Sequence, residues 1–261
     1  MPTINRRNNA LRLSIVFLVF GVFALFYAVF FEMQIAAFIG LGLTFWGAVL
    51  ALARTGRHVE SSLLDATARS SYFTIDRMFN DLKYHGQGYY LPAYPRDVSL
   101  PDYLKILKEP VVYISESFDG KPSIDELASG KLFSAQNRGF FISSPGSGIL
   151  SEVEKQLQQD LSKISPADLA EALPKCLSEN LNLARNAEMT LTPSGANFKA
   201  VGIVYDTLYN SETKPRSVGI LGCPIVSAVA SALAKSSSKT VVLKEQTIMP
   251  GNSVNVTFGF V

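Results

Sequence analysis

Two apolar runs dominate the first fifth of the chain. They cover residues 13–31 and 35–53, hold no charged residue and no histidine, and are separated only by Glu32-Met33-Gln34. Each is about 19 residues long, close to the ~20 that cross a ~30 Å hydrocarbon core as a helix. A helix apolar on every face offers no side to water. The pattern therefore predicts a transmembrane hairpin over 13–53, followed by a juxtamembrane helix over 54–84 and a domain over 85–261. In the juxtamembrane helix Leu64, Ala68, Ser71, Ile75, Met78 and Leu82 alternate by four and three, a seam suited to packing on the domain or to a parallel dimer stalk.

Beyond Gly86 and Gly88 the period changes. Tyr89-Tyr90-Leu91-Pro92 reads as a short extended segment, and Val111-Val112-Tyr113-Ile114 and Phe140-Phe141-Ile142 read as strands by their β-branched and aromatic content. A polar connection runs from Arg96 to Lys108, Asp119-Gly120 marks a turn, and Ser123 to Glu126 resembles a capping box. Ile149, Leu150, Val153, Leu157 and Leu161 define one face of an amphipathic helix, with Glu152, Glu154, Lys155 and Gln158 elsewhere. Ser165-Pro166 restarts the helix, and Pro174 is placed to kink it. A hairpin is expected around Pro193-Ser194-Gly195-Ala196, with strands over 187–192 and 198–205. A helix of small and aliphatic residues follows over 225–235, then two closing strands over 241–243 and 254–261. Helices interspersed with hairpin-like strand pairs indicate an α+β fold, with a mixed or antiparallel sheet and packed helices.

Charge adds orientation. Arg6, Arg7 and Arg12 precede the first run, Arg54 and Arg57 follow the second, and the turn between carries no Lys or Arg. The positive-inside rule then places residues 1–12 and the domain in the cytoplasm of a two-span cell-membrane protein. A cleaved signal peptide fits less well: the first run is too long and Phe30-Phe31 stand where a small-x-small site would be. From Arg54 onward acidic and basic residues balance, so the domain lacks the basic footprint of a nucleic-acid binder. Uncharged spans also lack the residues of ion pathways and proton relays. Cytoplasmic placement predicts reduced thiols at Cys176 and Cys223 and no glycan at the Asn255-Val256-Thr257 sequon. In the second run Ala36, Gly40 and Thr44, then Gly47 and Ala51, form small-residue stripes that suit packing on the first span or a homodimer.

Three groups attract chemistry. The loop ending Gly146-Ser147-Gly148 could hold an anion at a helix start, but Ile149-Leu150 follow where a phosphate loop needs Lys and Ser or Thr, so a strand-to-helix turn is the simpler reading. Cys223 opens a helix, where a dipole can activate a thiol, yet no histidine follows it in the sequence and His58 and His85 lie far upstream. A small buried thiol is the alternative. Tyr84, Tyr89, Tyr90, Tyr94 and Tyr103 could line a ligand pocket, meet lipid headgroups, or sit half-buried on strands. Acidic residues fall at solvent-type positions, and no catalytic set, metal site or cofactor motif is read.

Gly88-Tyr89-Tyr90-Leu91-Pro92, Ser144-Pro145-Gly146-Ser147-Gly148, Glu171-Ala172-Leu173-Pro174 and Gly222-Cys223-Pro224-Ile225-Val226-Ser227 occur in one order. In this the chain resembles uncharacterised archaeal membrane proteins with two N-terminal spans and a cytoplasmic α+β domain. That resemblance implies architecture and brings no catalytic residue. The last part also resembles vinyl-reductase-type and TRAPP-like ligand-binding domains, although the cysteines that follow the helix there are missing here. The functions expected are a membrane-anchored domain that binds or scaffolds a protein partner, a small-molecule sensor with weak ligand candidates at Cys223, Gly146, Ser147, Gly148, Tyr89 and Tyr90, or, last, a Cys223-dependent enzyme.

Overall fold

The computed structural model describes residues 4–52, 61–83, 86–116, 124–134, 139–210, 214–249 and 251–261. The side chains of Arg6, Arg7 and Arg12, the residues Arg54, Arg57, His58, Tyr84 and His85, the Asp119-Gly120 turn, Ser123 and Pro250 lie outside the described residues. The chain forms two compact units, Met1–Val59 and Glu60–Val261.

The first unit is an antiparallel helix pair, α1 (Ile4–Phe31) and α2 (Gln34–Leu52), with Glu32 at φ 51° in the turn. Its contact stripe is made of small residues: Ser14, Gly21 and Ala28 on α1, seven apart, face Gly40 and Gly47 on α2. A Cβ on Gly21 would lie 2.6 Å from the Thr44 nitrogen, and one on Gly47 would lie 2.8 Å from the Leu18 nitrogen. The backbones are therefore in contact, and the stripe containing Gly40, Thr44 and Gly47 is used within the chain. The large side chains point away from the seam, with Phe23 74%, Phe30 84% and Phe38 78% exposed.

The second unit is α+β, built on an eight-stranded antiparallel sheet. In chain order it contains α3 (Ser61–Asp81), β1 (Gln87–Tyr90), β2 (Val111–Ser115), α4 (Ile124–Ala128), β3 (Phe133–Ser134), β4 (Gly139–Ser143), α5 (Ser147–Leu157) and α6 (Pro166–Lys175). Then follow β5 (Asn186–Thr192), β6 (Gly195–Val201), α7 (Thr207–Asn210), α8 (Arg216–Leu221), α9 (Pro224–Ser237), β7 (Val241–Met249) and β8 (Ser253–Phe260). The strand order is β3-β4-β2-β1-β7-β8-β6-β5. Alternation sends Tyr90, Val112, Ile114, Phe140, Val256 and Phe198 into the main core under the helices. Tyr89, Val111, Tyr113, Phe141 and Val242 form a second, smaller core on the opposite face, with Leu91 and Leu127 against it. All of β2 is buried for that reason, which explains its continuous apolar run. The β7–β8 register slips between Leu243 and Glu245, so Lys244 bulges and both Leu243 and Ile248 face the helices.

Several expectations shift. The buried face of α3 runs through Asp65, Tyr72 and Phe79, while Ser71 and Leu82 of the expected seam are exposed. Helix α3 stops at Asp81, with Lys83 at φ 51°, short of the expected end at residue 84. Gly88 is instead a strand residue on which a Cβ would crowd Leu221, at 3.0 Å. The polar connection contains a 3-10 turn at Asp102–Lys108. Strand β6 ends at Val201 because Gly202, at φ 65°, turns the chain, whereas β7 runs on to Met249. After Pro174, which lacks a backbone N–H, α6 relaxes into a π-helical turn at Cys176–Asn180.

Candidate functional site

Helix α9 is the centre of the domain: every residue from Pro224 to Lys235 is buried. Its alanines permit close approach, and the Pro145-Gly146 turn uses it. A Cβ on Gly146 would lie 2.5 Å from the Ala228 Cα and 2.6 Å from the Pro224 carbonyl oxygen, so only glycine fits. The Gly146 N–H donates to the Ser227 hydroxyl at 3.1 Å and the Ser144 hydroxyl at 3.3 Å. Ser144 also bonds Ser231, at 2.8 Å. The Gly146 N–H is therefore turned into the core and occupied there.

At the other end of this contact, α8 breaks into α9 at Gly222, φ 70°, with Cys223 in the N-cap position and Pro224 opening the helix. Breaking a buried helix strands polar backbone groups. Tyrosines satisfy them here. Tyr90 donates to the Leu221 carbonyl at 2.5 Å, Tyr72 donates to the Gly222 carbonyl at 2.6 Å, and the Cys223 N–H donates to the Tyr209 hydroxyl at 2.9 Å. Burial pushes the hydroxyls of Tyr72, Tyr90 and Tyr209 well above their ordinary pKa, and burial together with Cys223 and Asp65 pushes Tyr205 up to about 12. Burial also raises the Cys223 thiol; the Tyr209 hydroxyl and the amides of Val226 and Ile225 pull it down but do not win. A buried, protonated sulfur is a poor nucleophile.

Beside this joint lies an open groove of about 380 Å³. Leu64, Ala68 and Tyr72 form one wall, and Gly148, Tyr205 and Pro224 are on the others. Thus Gly146, Tyr90 and Cys223 meet at the start of α9, Ser147 and Gly148 begin α5, and Gly148 reaches the groove. Tyr89 belongs to the other face of the sheet, among Tyr113 and Phe141. Tyr94 and Tyr103 are exposed.

The residues that sequence reasoning passed over are charged. Lys235, 3% exposed, closes the Ser227–Ser231–Lys235 stripe of α9 at four-residue spacing. Its ammonium lies 2.6 Å from a Glu154 oxygen and 2.9 Å from an Asp160 oxygen. The second Glu154 oxygen is 3.0 Å from the Arg96 guanidinium, a charge contact without hydrogen-bond alignment. Burial alone would raise the Asp160 carboxyl, but the Arg96 N–H, the Lys235 ammonium and Ser162 together hold it well below the usual carboxylate range. Glu154 is therefore a core residue, a correction to its expected solvent position. Arg96, Glu154 and Asp160 line a polar pocket of about 280 Å³. Two more acids are structural. Asp65 accepts the Thr207 N–H that opens α7, and Asp76 accepts the Arg216 and Ser217 N–H groups that open α8. The missed signal was a single Lys in an otherwise uncharged helix, which requires a buried carboxylate elsewhere.

Elsewhere on the domain, Tyr103, 70% exposed, and Ile106 on the 3-10 turn, and Leu132 and Phe133 at β3, are large apolar side chains open to solvent. Among the described residues no three His, Cys, Asp or Glu side chains are grouped to hold a metal ion. No curated protein and no solved structure matches the chain. The model of the family described as "Domain of unknown function (DUF7982)" matches residues 3–260, and the chain belongs to that family.

Proposed function

We propose that the chain is an integral membrane protein whose α1–α2 pair anchors a cytoplasmic domain that binds or scaffolds a protein partner. The observation that carries this reading is the packing of the pair, small residues inward and phenylalanines outward. In water such a surface far exceeds the few hundred Å² of contiguous apolar patch that soluble monomers tolerate. In hydrocarbon it costs nothing, and helices associate through small residues. At 19 residues α2 is about 28 Å long, matched to the hydrocarbon core. The basic flanks put both ends on the cytoplasmic side. Partner binding draws support from the exposed aromatic side chains Tyr103 and Phe133, since aromatic residues are favoured at interface cores. Burial of Cys223 argues against covalent chemistry there.

Alkaline carbonate washing of membranes tests the anchor: the chain stays in the pellet, and release into the wash sinks the reading. For the partner, the detergent-solubilised chain co-purifies a defined protein that Phe133→Ser no longer retains; equal recovery with the variant counts against that surface. The groove at Tyr72, Tyr205 and Gly148 favours a second reading, a small apolar ligand. Native mass spectrometry of the purified chain detects such a ligand directly, and an unliganded mass removes its support.

A further inference from the structure

The groove between α3, α5 and the start of α9 is defined by the polar groups it withholds. Among the described residues that line it, none has a charged side chain, and Pro145 and Pro224 carry no N–H. The hydroxyls on the α3 wall are spent. Thr67 shares its proton between the Leu63 and Leu64 carbonyls, each at 2.9 Å, Ser71 donates to the Thr67 carbonyl at 3.5 Å, and Tyr72 donates to the Gly222 carbonyl at 2.6 Å. Tyr205 differs. It is 6% exposed, yet its hydroxyl makes no hydrogen bond among the described residues and remains in contact with solvent. Because Tyr205 lies on the groove wall, one phenol proton is left for whatever enters. Burial, Cys223 and Asp65 push its pKa up to about 12, which keeps that proton in place at physiological pH.

We propose that the groove binds an uncharged molecule with an apolar body and a carbonyl oxygen that accepts the Tyr205 proton, an inference that rests on the small-ligand reading above. Each other class leaves a group unanswered. A plain hydrocarbon would seal the Tyr205 hydroxyl from water without a partner, at the desolvation cost of that group. A carboxylate would meet no cation on the wall and would feel the Asp65 charge that already acts on Tyr205. An ammonium would find no carboxylate on the wall. A ketone, ester or amide avoids all three costs, and its apolar body covers Leu64, Ala68 and Ile149. The volume of about 380 Å³ falls within the ~300–1,000 Å³ of small-molecule sites, whose usual make-up is an apolar lining with a few placed polar groups.

Probes of matched chain length test the proposal: methyl nonyl ketone, undecane and undecanoate, offered in equal amounts to the full chain in digitonin, with occupancy read by native mass spectrometry. The ketone is retained about tenfold better than undecane, the worth of one hydrogen bond, and better than undecanoate. An isotope-labelled carbonyl adds a signature that packing alone does not give, because its infrared band moves to lower frequency in the complex than in empty micelles. Tyr205→Phe abolishes that shift and the preference for the ketone over undecane. The hydroxyl it removes has no hydrogen-bond partner in the described protein, so the domain stays folded. Gly148→Leu excludes every probe; a Cβ there meets nothing within 4 Å, so the leucine extends into the groove without a clash. Equal retention of ketone and undecane, a preference that Tyr205→Phe preserves, or undecanoate held as well as the ketone overturns the proposal and leaves a ligand site of another class. A chain that retains none of the probes overturns the small-ligand reading itself.

Discussion

In α1 the segment Ser14–Phe31 is apolar and 17% buried within the protein; the segment Arg216–Ser237, which contains α9, is also apolar and 89% buried. Composition by length does not separate them, since both could span a bilayer. Their small residues do. In α1 they occupy a single seven-residue stripe and the bulky residues face outward, so one contact serves the helix. In α9 small and branched residues cover every side, and the three buried polar ones, Ser227, Ser231 and Lys235, are each answered by a buried partner. A break at Gly222, satisfied by tyrosine hydroxyls, is tolerable inside a protein and would be costly facing lipid. Where the polar atoms find partners tells an internal helix from one whose environment lies outside the chain.

That contrast can be broken by substitution. The largest effect is expected from Gly146→Val, which drives a side chain into the backbone of α9; a loss of about 4 kcal/mol or more, or failure to fold, should appear in denaturant melts. Next, Lys235→Ala leaves Glu154 and Asp160 without their shared cation and should cost about 3–5 kcal/mol. A loss below about 1 kcal/mol would mean that solvent reaches those carboxylates. In the hairpin, Gly47→Val should weaken helix association by about 1–2 kcal/mol in mixed micelles, whereas Phe23→Ala, on the outward side, should change it little. The reverse order would mean that the outward face of α1 packs on protein. The smallest effect concerns pH. The depressed Asp160 carboxyl contributes stability that is complete above the unfolded value near pH 4 and is lost as pH falls toward the folded one. Asp160→Asn should flatten that acid limb, and unchanged slopes would refute the assignment.

Much of the architecture was legible because periodicity survives burial. Val111 to Ile114, the Ile149–Leu150–Val153 face and the closing strands lie near where the pattern put them. The α3 seam was legible in part: Leu64, Ala68, Ile75 and Met78 pack on the core as the pattern predicts, but Ser71 and Leu82 are exposed while Tyr72 and Phe79 are buried, and a tyrosine that spends its hydroxyl on Gly222 looks no different in sequence from a solvent-facing one. Convergence of Gly146, Tyr90 and Cys223 depends on sheet order, which strand patterns alone do not encode. Glu154 was invisible for a related reason: a buried carboxylate is intelligible only beside its lysine, many turns away in the chain.

The tyrosine-capped joint also sets a timetable for synthesis. Tyr72 and its acceptor at Gly222 are 150 residues apart, and Tyr90 and Leu221 are 131 apart. At roughly 5–20 residues per second, α3 leaves the ribosome about 8–30 s before the carbonyl that will receive its tyrosine exists. Until then Tyr72 and Phe79 have no α8–α9 to cover them, and the domain cannot close its core from the N-terminal side. The newborn chain must hold an unfinished amphipathic helix throughout that interval, and truncations ending before Leu221 should be recovered as aggregation-prone or chaperone-bound species.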